Sequence, residues 1–262
     1  MLALIAGRGL LPAEVVAHAG GDILICAMAG SEPDQVQAEL TFRLEQLGTF
    51  IETLKARGVT RVCMAGGVSR PQIDPGKIDA ATLPLVPVLQ AALGAGDDGA
   101  LRAVIGIFEQ AGFAVEAAHR VAPDLLMEAG VPTKVQPGEL DRPDAERGAG
   151  IVAAMGAADV GQSCAVRQRQ AIAVENVFGT DWMLAALQNR PDGQGGLLFK
   201  APKPGQDRRA DLPAIGPETV EAAARAGLSG IVLEAGGLIV LEQARLIEAC
   251  DRVCLVLWLR PA

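Results

Sequence analysis

The sequence predicts an α/β protein with a parallel sheet in its N-terminal half and a second α/β region with a local antiparallel element. Three observations carry this. Short apolar runs alternate with helical stretches through the first half, the pattern of a parallel sheet covered on both faces. Between Gly130 and Pro143 come three prolines and two glycines, which reads as a connector and divides the chain into domains 1–130 and 131–262. Beyond it, two strand-like segments separated by a few polar residues read as a hairpin.

The elements follow in order. Residues 2–6 are an apolar strand, and 11–19 a helix opened by Pro12, a residue tolerated in a first turn. A second strand covers 22–27, a helix 47–57 and a third strand 61–65. A helix over 97–112 is ended by glycine, and 113–117 forms a further strand. After the connector a helix spans 144–158, and the hairpin pairs 163–167 with 171–176. Thr180 or Asp181 caps a helix running to about 189. Residues 197–200 are a strand and 217–226 a helix opened by Pro217 and stopped by Gly227. Buried strands at 230–234 and 253–259 flank a helix at 242–250. The proline-punctuated run 83–93 is an apolar core segment or the wall of a trough.

Composition narrows the function. The net charge is −8 and aromatics make up 3% of the 262 residues, with no tyrosine, which argues against a nucleic-acid binder. An anionic ligand must therefore be met by a local positive patch. The five cysteines form no CxxC pair, and four lie in apolar runs, so they read as reduced thiols of a cytosolic protein. No apolar run approaches the ~20 residues needed to cross a bilayer, and no basic region precedes the apolar start.

The densest chemistry lies in KAPKPGQDRRADLPAIG, residues 200–216, where two of the five lysines stand three residues apart. Lys and Arg hold phosphate oxygens by charge-assisted hydrogen bonds, and nearby carboxylates carry a divalent cation or orient a water. A solvated loop is the competing reading. Gly7-Arg8-Gly9 follows the first strand as a turn whose amides could face an anion, but Pro12 stands where a dinucleotide site needs its third glycine. Asp97 and Asp98 open a helix after a glycine-rich loop; capping explains one of them, and the second suits a metal or a ligand hydroxyl. Glu175, Gly179, Thr180 and Asp181 place a carboxylate at a strand end and a hydroxyl and an acid at a helix start, again a cap or a site. Gln162 is polar at the mouth of a strand. His18 and His119 read as structural. With no serine elbow, phosphate-loop lysine or HExxH motif, acid–base work falls to carboxylates, lysines or metal-bound water.

Taken together, IAGRGLLP at 5–12, MAGGVSRP at 64–71, GDDGALR at 96–102, DVGQ at 159–162, AVENVFGTDWML at 173–184 and KAPKPGQDRRADLPAIGPETVEAA at 200–223 resemble the LpxI-type UDP-2,3-diacylglucosamine pyrophosphatases of lipid A synthesis. The resemblance is collinear over nearly the whole chain. It implies a Rossmann-like N-terminal domain, a distinct mixed-sheet α/β C-terminal domain, and a substrate site between them. It also implies magnesium-dependent hydrolysis of UDP-2,3-diacylglucosamine to UMP and the lipid 1-phosphate. On that basis Asp211, Asp207 and Lys203 are the catalytic residues, and Asp211, Asp207 and Asp98 the metal ligands. Gly7, Arg8, Gly9, Arg70, Asp97, Asp98, Gln162, Glu175, Gly179, Thr180, Asp181, Lys200, Gln206 and Arg209 bind substrate. A cytoplasmic homodimer with peripheral contact at the inner membrane accords with the same resemblance. The chain departs from the pattern at 67–70, where of the basic residues only Arg70 remains, and at Val177-Phe178, where a more polar pair is expected. An NAD(P)-dependent oxidoreductase and a non-catalytic nucleotide-sugar sensor stay open as rival readings.

Overall fold

This computed structural model describes residues 1–69, 72–94, 97–191, 193–205, 207–209 and 212–261, with the backbone alone for Leu93, Asp97 and Asp98. The chain divides into two compact units: Met1–Pro123, which takes in residues 207–209, and the remainder from Asp124 onward.

The first unit holds a wholly parallel five-stranded sheet in the order β3-β2-β1-β4-β5. Its strands are β1 (Leu2–Ala6), β2 (Ile23–Met28), β3 (Leu40–Phe42), β4 (Arg61–Ala65) and β5 (Ala114–Glu116). Every residue of β1 is buried, as an apolar central strand covered on both faces must be. The connecting helices are α1 (Leu11–His18), α2 (Leu47–Ala56), α3 (Val86–Gly94), α4 (Asp97–Gln110) and α5 (Ala118–Val121). Four of the six phenylalanines pack here: Phe42 stacks on Phe50 at 3.9 Å, Phe50 meets Phe108 edge-on at 6.4 Å, and Phe108 meets Phe113 at 6.0 Å. The strand order is that of doubly wound nucleotide-binding sheets, whose switch point lies between β1 and β4. The short β3 escapes the sequence pattern, and the run 83–93 turns out to form a short turn and α3, burying Leu89 and Ala92 but exposing Leu83 and Val88.

The second unit contains a mixed sheet in the order β12-β10-β8-β6-β7 and a two-stranded parallel pair, β9 with β11. In chain order its elements are α6 (Asp141–Ala157), β6 (Ser163–Arg167), β7 (Gln170–Val174), α7 (Gly179–Ala186), β8 (Leu197–Lys200), β9 (Ala214–Ile215), α8 (Pro217–Arg225), β10 (Gly230–Glu234), β11 (Ile239–Val240), α9 (Gln243–Arg252) and β12 (Val256–Arg260). β8, β10 and β12 run parallel, whereas β6 is antiparallel to both β8 and β7. Helix α6 starts at Asp141, three residues before the expected Asp144, because Pro143 sits in the first turn, where no intrahelical donor is required.

The β6–β7 hairpin turns through Gln168 and Arg169, both with positive φ (50° and 63°). Such a turn favours Asn-Gly. Here the buried Asp144 holds it instead, accepting from the Gln168 amide at 3.0 Å and the Arg169 amide at 2.5 Å. The pairing register shifts between Ala165 and Val166, a β-bulge that leaves Ile172 without a partner.

Four cysteines are buried, Cys254 is exposed, and all are free thiols, in line with the composition. Burial pushes the thiols of Cys26, Cys63, Cys164 and Cys250 up to about 12, so none offers a thiolate near neutral pH. Among the described residues no helix is long and apolar enough to cross a membrane.

Candidate active site

In the second unit three neighbouring strands bring three polar residues into one row. Ser163 is the register partner of Lys200 on β8, and its carbonyl accepts the Glu175 amide at 2.9 Å. Lys200, Ser163 and Glu175 therefore lie side by side across β8, β6 and the end of β7, and all three are buried. Thr180, in the first turn of α7, closes the row. Its hydroxyl donates to Glu175 Oε2 at 2.7 Å and accepts from Lys200 Nζ at 3.1 Å. Ser163 Oγ also donates to Glu175 Oε2 and lies 3.2 Å from Thr180 Oγ1, while Lys200 Nζ donates to the Ala214 carbonyl at 3.2 Å. The hydroxyl thus bridges an ammonium and a carboxylate, each polarising it in the same sense.

Glycines set the approach to this row. A Cβ on Gly161 would stand 2.8 Å from the Glu175 carbonyl oxygen, and one on Gly156 would stand 2.6 Å from Pro204 Cδ. Neither position admits a side chain without movement. Lys203, beside Pro204, pairs with Asp159 at 2.7 Å. Gln162, immediately before β6, has a buried Oε1 with no hydrogen-bond partner among the described residues. A buried polar atom left this way suits an external donor. Gly179 takes a φ of 85°, which turns the chain into α7, and Asp181 is exposed in the first turn of that helix.

The first unit treats its expected site residues differently. Amides of the Gly7-Arg8-Gly9 turn do not face outward: Gly7 donates to Ala65 O at 2.8 Å, Arg8 to Gly67 O at 2.9 Å, and Gly9 to the Asp34 carboxylate at 2.5 Å. Gly67 returns a bond to Arg8 O at 2.9 Å, so the turns after β1 and β4 are stapled together. All three amides of the turn therefore have protein acceptors in this structure. The Arg8 guanidinium donates to Gly30 O at 2.8 Å. A cavity of about 250 Å³ opens past β2, lined among others by Met28, Ser31, Arg43, Glu45, Ser69 and Gln72; no sequence signal marked it.

Asp207 and Arg209 group with this first unit as a two-pronged pair. Arg209 donates to Asp207 through Nε at 2.9 Å and Nη2 at 2.7 Å, and through Nη1 to Glu109 on α4 at 2.5 Å. The hydrogen bonds from Arg209 hold the Asp207 carboxyl below the usual carboxylate range, and Asp207 and Glu109 raise Arg209 further. Asp207 is thus the partner of Arg209 in this structure. Both its oxygens serve Arg209, and a carboxylate of lowered pKa is a weak proton acceptor. His119 has a buried, unpartnered Nδ1 among the described residues, and burial together with Arg208 and Arg120 lowers its pKa.

Arg70, Gln206 and Asp211 lie outside the described residues, as do the side chains of Asp97 and Asp98. Among the described residues no group of three or more His, Cys, Asp or Glu is gathered in a way that could hold a metal ion. Ser163 was missed by sequence reasoning; a serine opening an apolar strand directly after Gln162 was its only signal.

Fold and site together define a two-unit α/β protein with a buried lysine at a sheet end, and comparison with known proteins gives the class a name. The LpxI N-terminal domain model matches residues 1–125 and the LpxI C-terminal domain model residues 128–258; the chain belongs to the LpxI family. It is 37% identical over 262 residues to the UDP-2,3-diacylglucosamine pyrophosphatase LpxI of Caulobacter vibrioides, covering 95% of this chain and 94% of that protein.

Proposed function

We propose that this protein is a hydrolase that cleaves the pyrophosphate bond of UDP-2,3-diacylglucosamine to give UMP and 2,3-diacylglucosamine 1-phosphate. The full-length likeness to a curated pyrophosphatase supports the reaction, and the buried Lys200 in its hydroxyl–carboxylate row is the observation that carries it. A desolvated ammonium held at a fixed point stabilises charge developing on a phosphate far better than a solvated one.

In this reading Lys200 and Lys203 meet the phosphate oxygens, and Thr180 and Glu175 keep the Lys200 ammonium in place. Gln162, with its unsatisfied Oε1, orients a substrate donor. Arg209, held by Asp207 and Glu109, is a further residue for binding substrate. Water attacks the phosphorus next to the sugar and loses a proton to Asp211, the P–O bond to the bridging oxygen breaks, and UMP leaves with that oxygen. Magnesium belongs to the proposal as well. Asp98, Asp207 and Asp211 are the residues that would hold the ion, which would neutralise diphosphate charge when bound. A homodimer in the cytoplasm, reaching its substrate at a membrane surface, completes the reading.

The test is UMP release from UDP-2,3-diacylglucosamine with magnesium, repeated with chelator. Release that a chelator abolishes and added magnesium restores is expected. No release by the folded protein would remove the function, and chelator-resistant release would remove the metal.

A further inference from the structure

Val177 is 88% exposed, Phe178 67% and Trp182 50%, and the Phe178 and Trp182 rings lie 5.2 Å apart. Val174, the last residue of the edge strand β7, is exposed beside them in the chain. These four side chains run from the sheet edge through the turn into the first turn of α7. The turn is the one that separates Glu175 from Thr180, so the apolar surface is built on the backbone that sets the buried lysine row. With only two tryptophans and no tyrosine in the chain, an aromatic pair left half in solvent is costly without an apolar partner.

We propose that Val174, Val177, Phe178 and Trp182 form a membrane-docking surface that inserts into the interfacial region of a lipid bilayer. The inference rests on the reading of a diacylated substrate, which resides in a bilayer and must be withdrawn from one. Trp, with an apolar body and a polar N–H, suits the headgroup–acyl boundary, and Phe and Val supply the purely apolar part that inserts. The chain's net charge of −8 opposes an anionic surface, so docking must come from apolar insertion rather than from attraction to charged headgroups. The position fits the chemistry, because a lipid drawn up at this turn emerges beside Thr180 and Lys200.

The experiment is flotation of the full-length protein with phosphatidylcholine vesicles, where charge attraction is absent. Val177→Ser combined with Phe178→Ser should weaken partitioning about tenfold or more. Leu140→Ser removes an apolar side chain 66% exposed elsewhere in the same unit and should change nothing. UMP release from detergent-dispersed substrate should stay within twofold of wild type in the double variant. Wild type that fails to bind vesicles, or a double variant that binds as wild type does, overturns the proposal. So does an equal loss in the Leu140 variant. A double variant that turns from dimer to monomer with vesicle binding intact would assign the surface to a second copy of the chain. A loss of detergent-dispersed turnover as large as the loss of vesicle binding would assign it to the acyl chains of bound substrate. Vesicle binding that depends on Phe178 in a protein that releases no UMP would uphold the surface and sink the substrate reading instead.

Discussion

The two sheets end in opposite ways. At the carboxyl ends of β1 and β4 the first unit closes backbone on backbone: Gly66 takes a φ of 95°, and a Cβ there would stand 2.7 Å from Arg8 O. At one edge of the second unit's sheet, where β8 and β7 end and β6 begins, a buried ammonium, two hydroxyls and a buried carboxylate are in contact. A glycine-closed end is rigid and inert because its polar groups satisfy one another. An end lined with buried charge is held at a cost in desolvation, and protein sites accept that cost where a charged ligand later offsets it. The contrast is between buried charge in the second unit and a backbone-closed turn in the first.

Four substitutions sharpen or break that contrast. Lys200→Met should give the largest effect, a fall in UMP release on the order of 10³-fold with the far-ultraviolet circular dichroism unchanged; a fall under tenfold would place the chemistry elsewhere. Next, Gly66→Ala should cost about 3 kcal/mol of stability in urea unfolding, since it adds a clash to a left-handed backbone. A loss below 1 kcal/mol would mean that the stapled turns yield easily. Thr180→Val keeps the shape but cuts the bridge between Lys200 and Glu175. It should lower turnover about tenfold and stability by roughly 1–2 kcal/mol, and an unchanged KM with lowered kcat would mark the bridge as acting through Lys200 rather than on binding.

The smallest effect belongs to Asp207→Asn. The folded Asp207 carboxyl lies below its ordinary value because of Arg209. Its contribution is therefore complete above the unfolded pKa and fades as pH falls through the folded one. The variant should melt below wild type at neutral pH, with the gap closing in acid below the usual carboxylate range. A gap that stays constant into acid would show that the carboxylate charge is not what matters.

Much of this was legible in the sequence. Alternation of buried runs and helical stretches located β1, β4, β8, β10 and the long helices, because those signals are local and each apolar run has one satisfactory environment. The lysine–proline segment at 200–204 and the pairing of Glu175 with Thr180 across one turn also lay within a few residues of each other. What escaped was long-range. Arg209 and Glu109 are one hundred residues apart, and Asp144 reaches twenty-four residues to hold the hairpin turn. Gly7-Arg8-Gly9 looked open to an anion because nothing local reveals that Ala65, Gly67 and Asp34 take its amides.

The sequence by itself determined most of the longer strands and helices and which stretch concentrates the basic residues. The tertiary structure alone decided who stands beside whom. The hairpin shows the reason most plainly. From the turn, Arg167 pairs with Gln170 and Val166 with Ala171, and continuing that register would set Ser163 against Val174. The bulge after Ala165 advances β7 by one residue, and Glu175 then lies beside Ser163. A one-residue slip reverses which face a strand's side chains occupy, and no local preference in these residues encodes it. Packing of the whole sheet does.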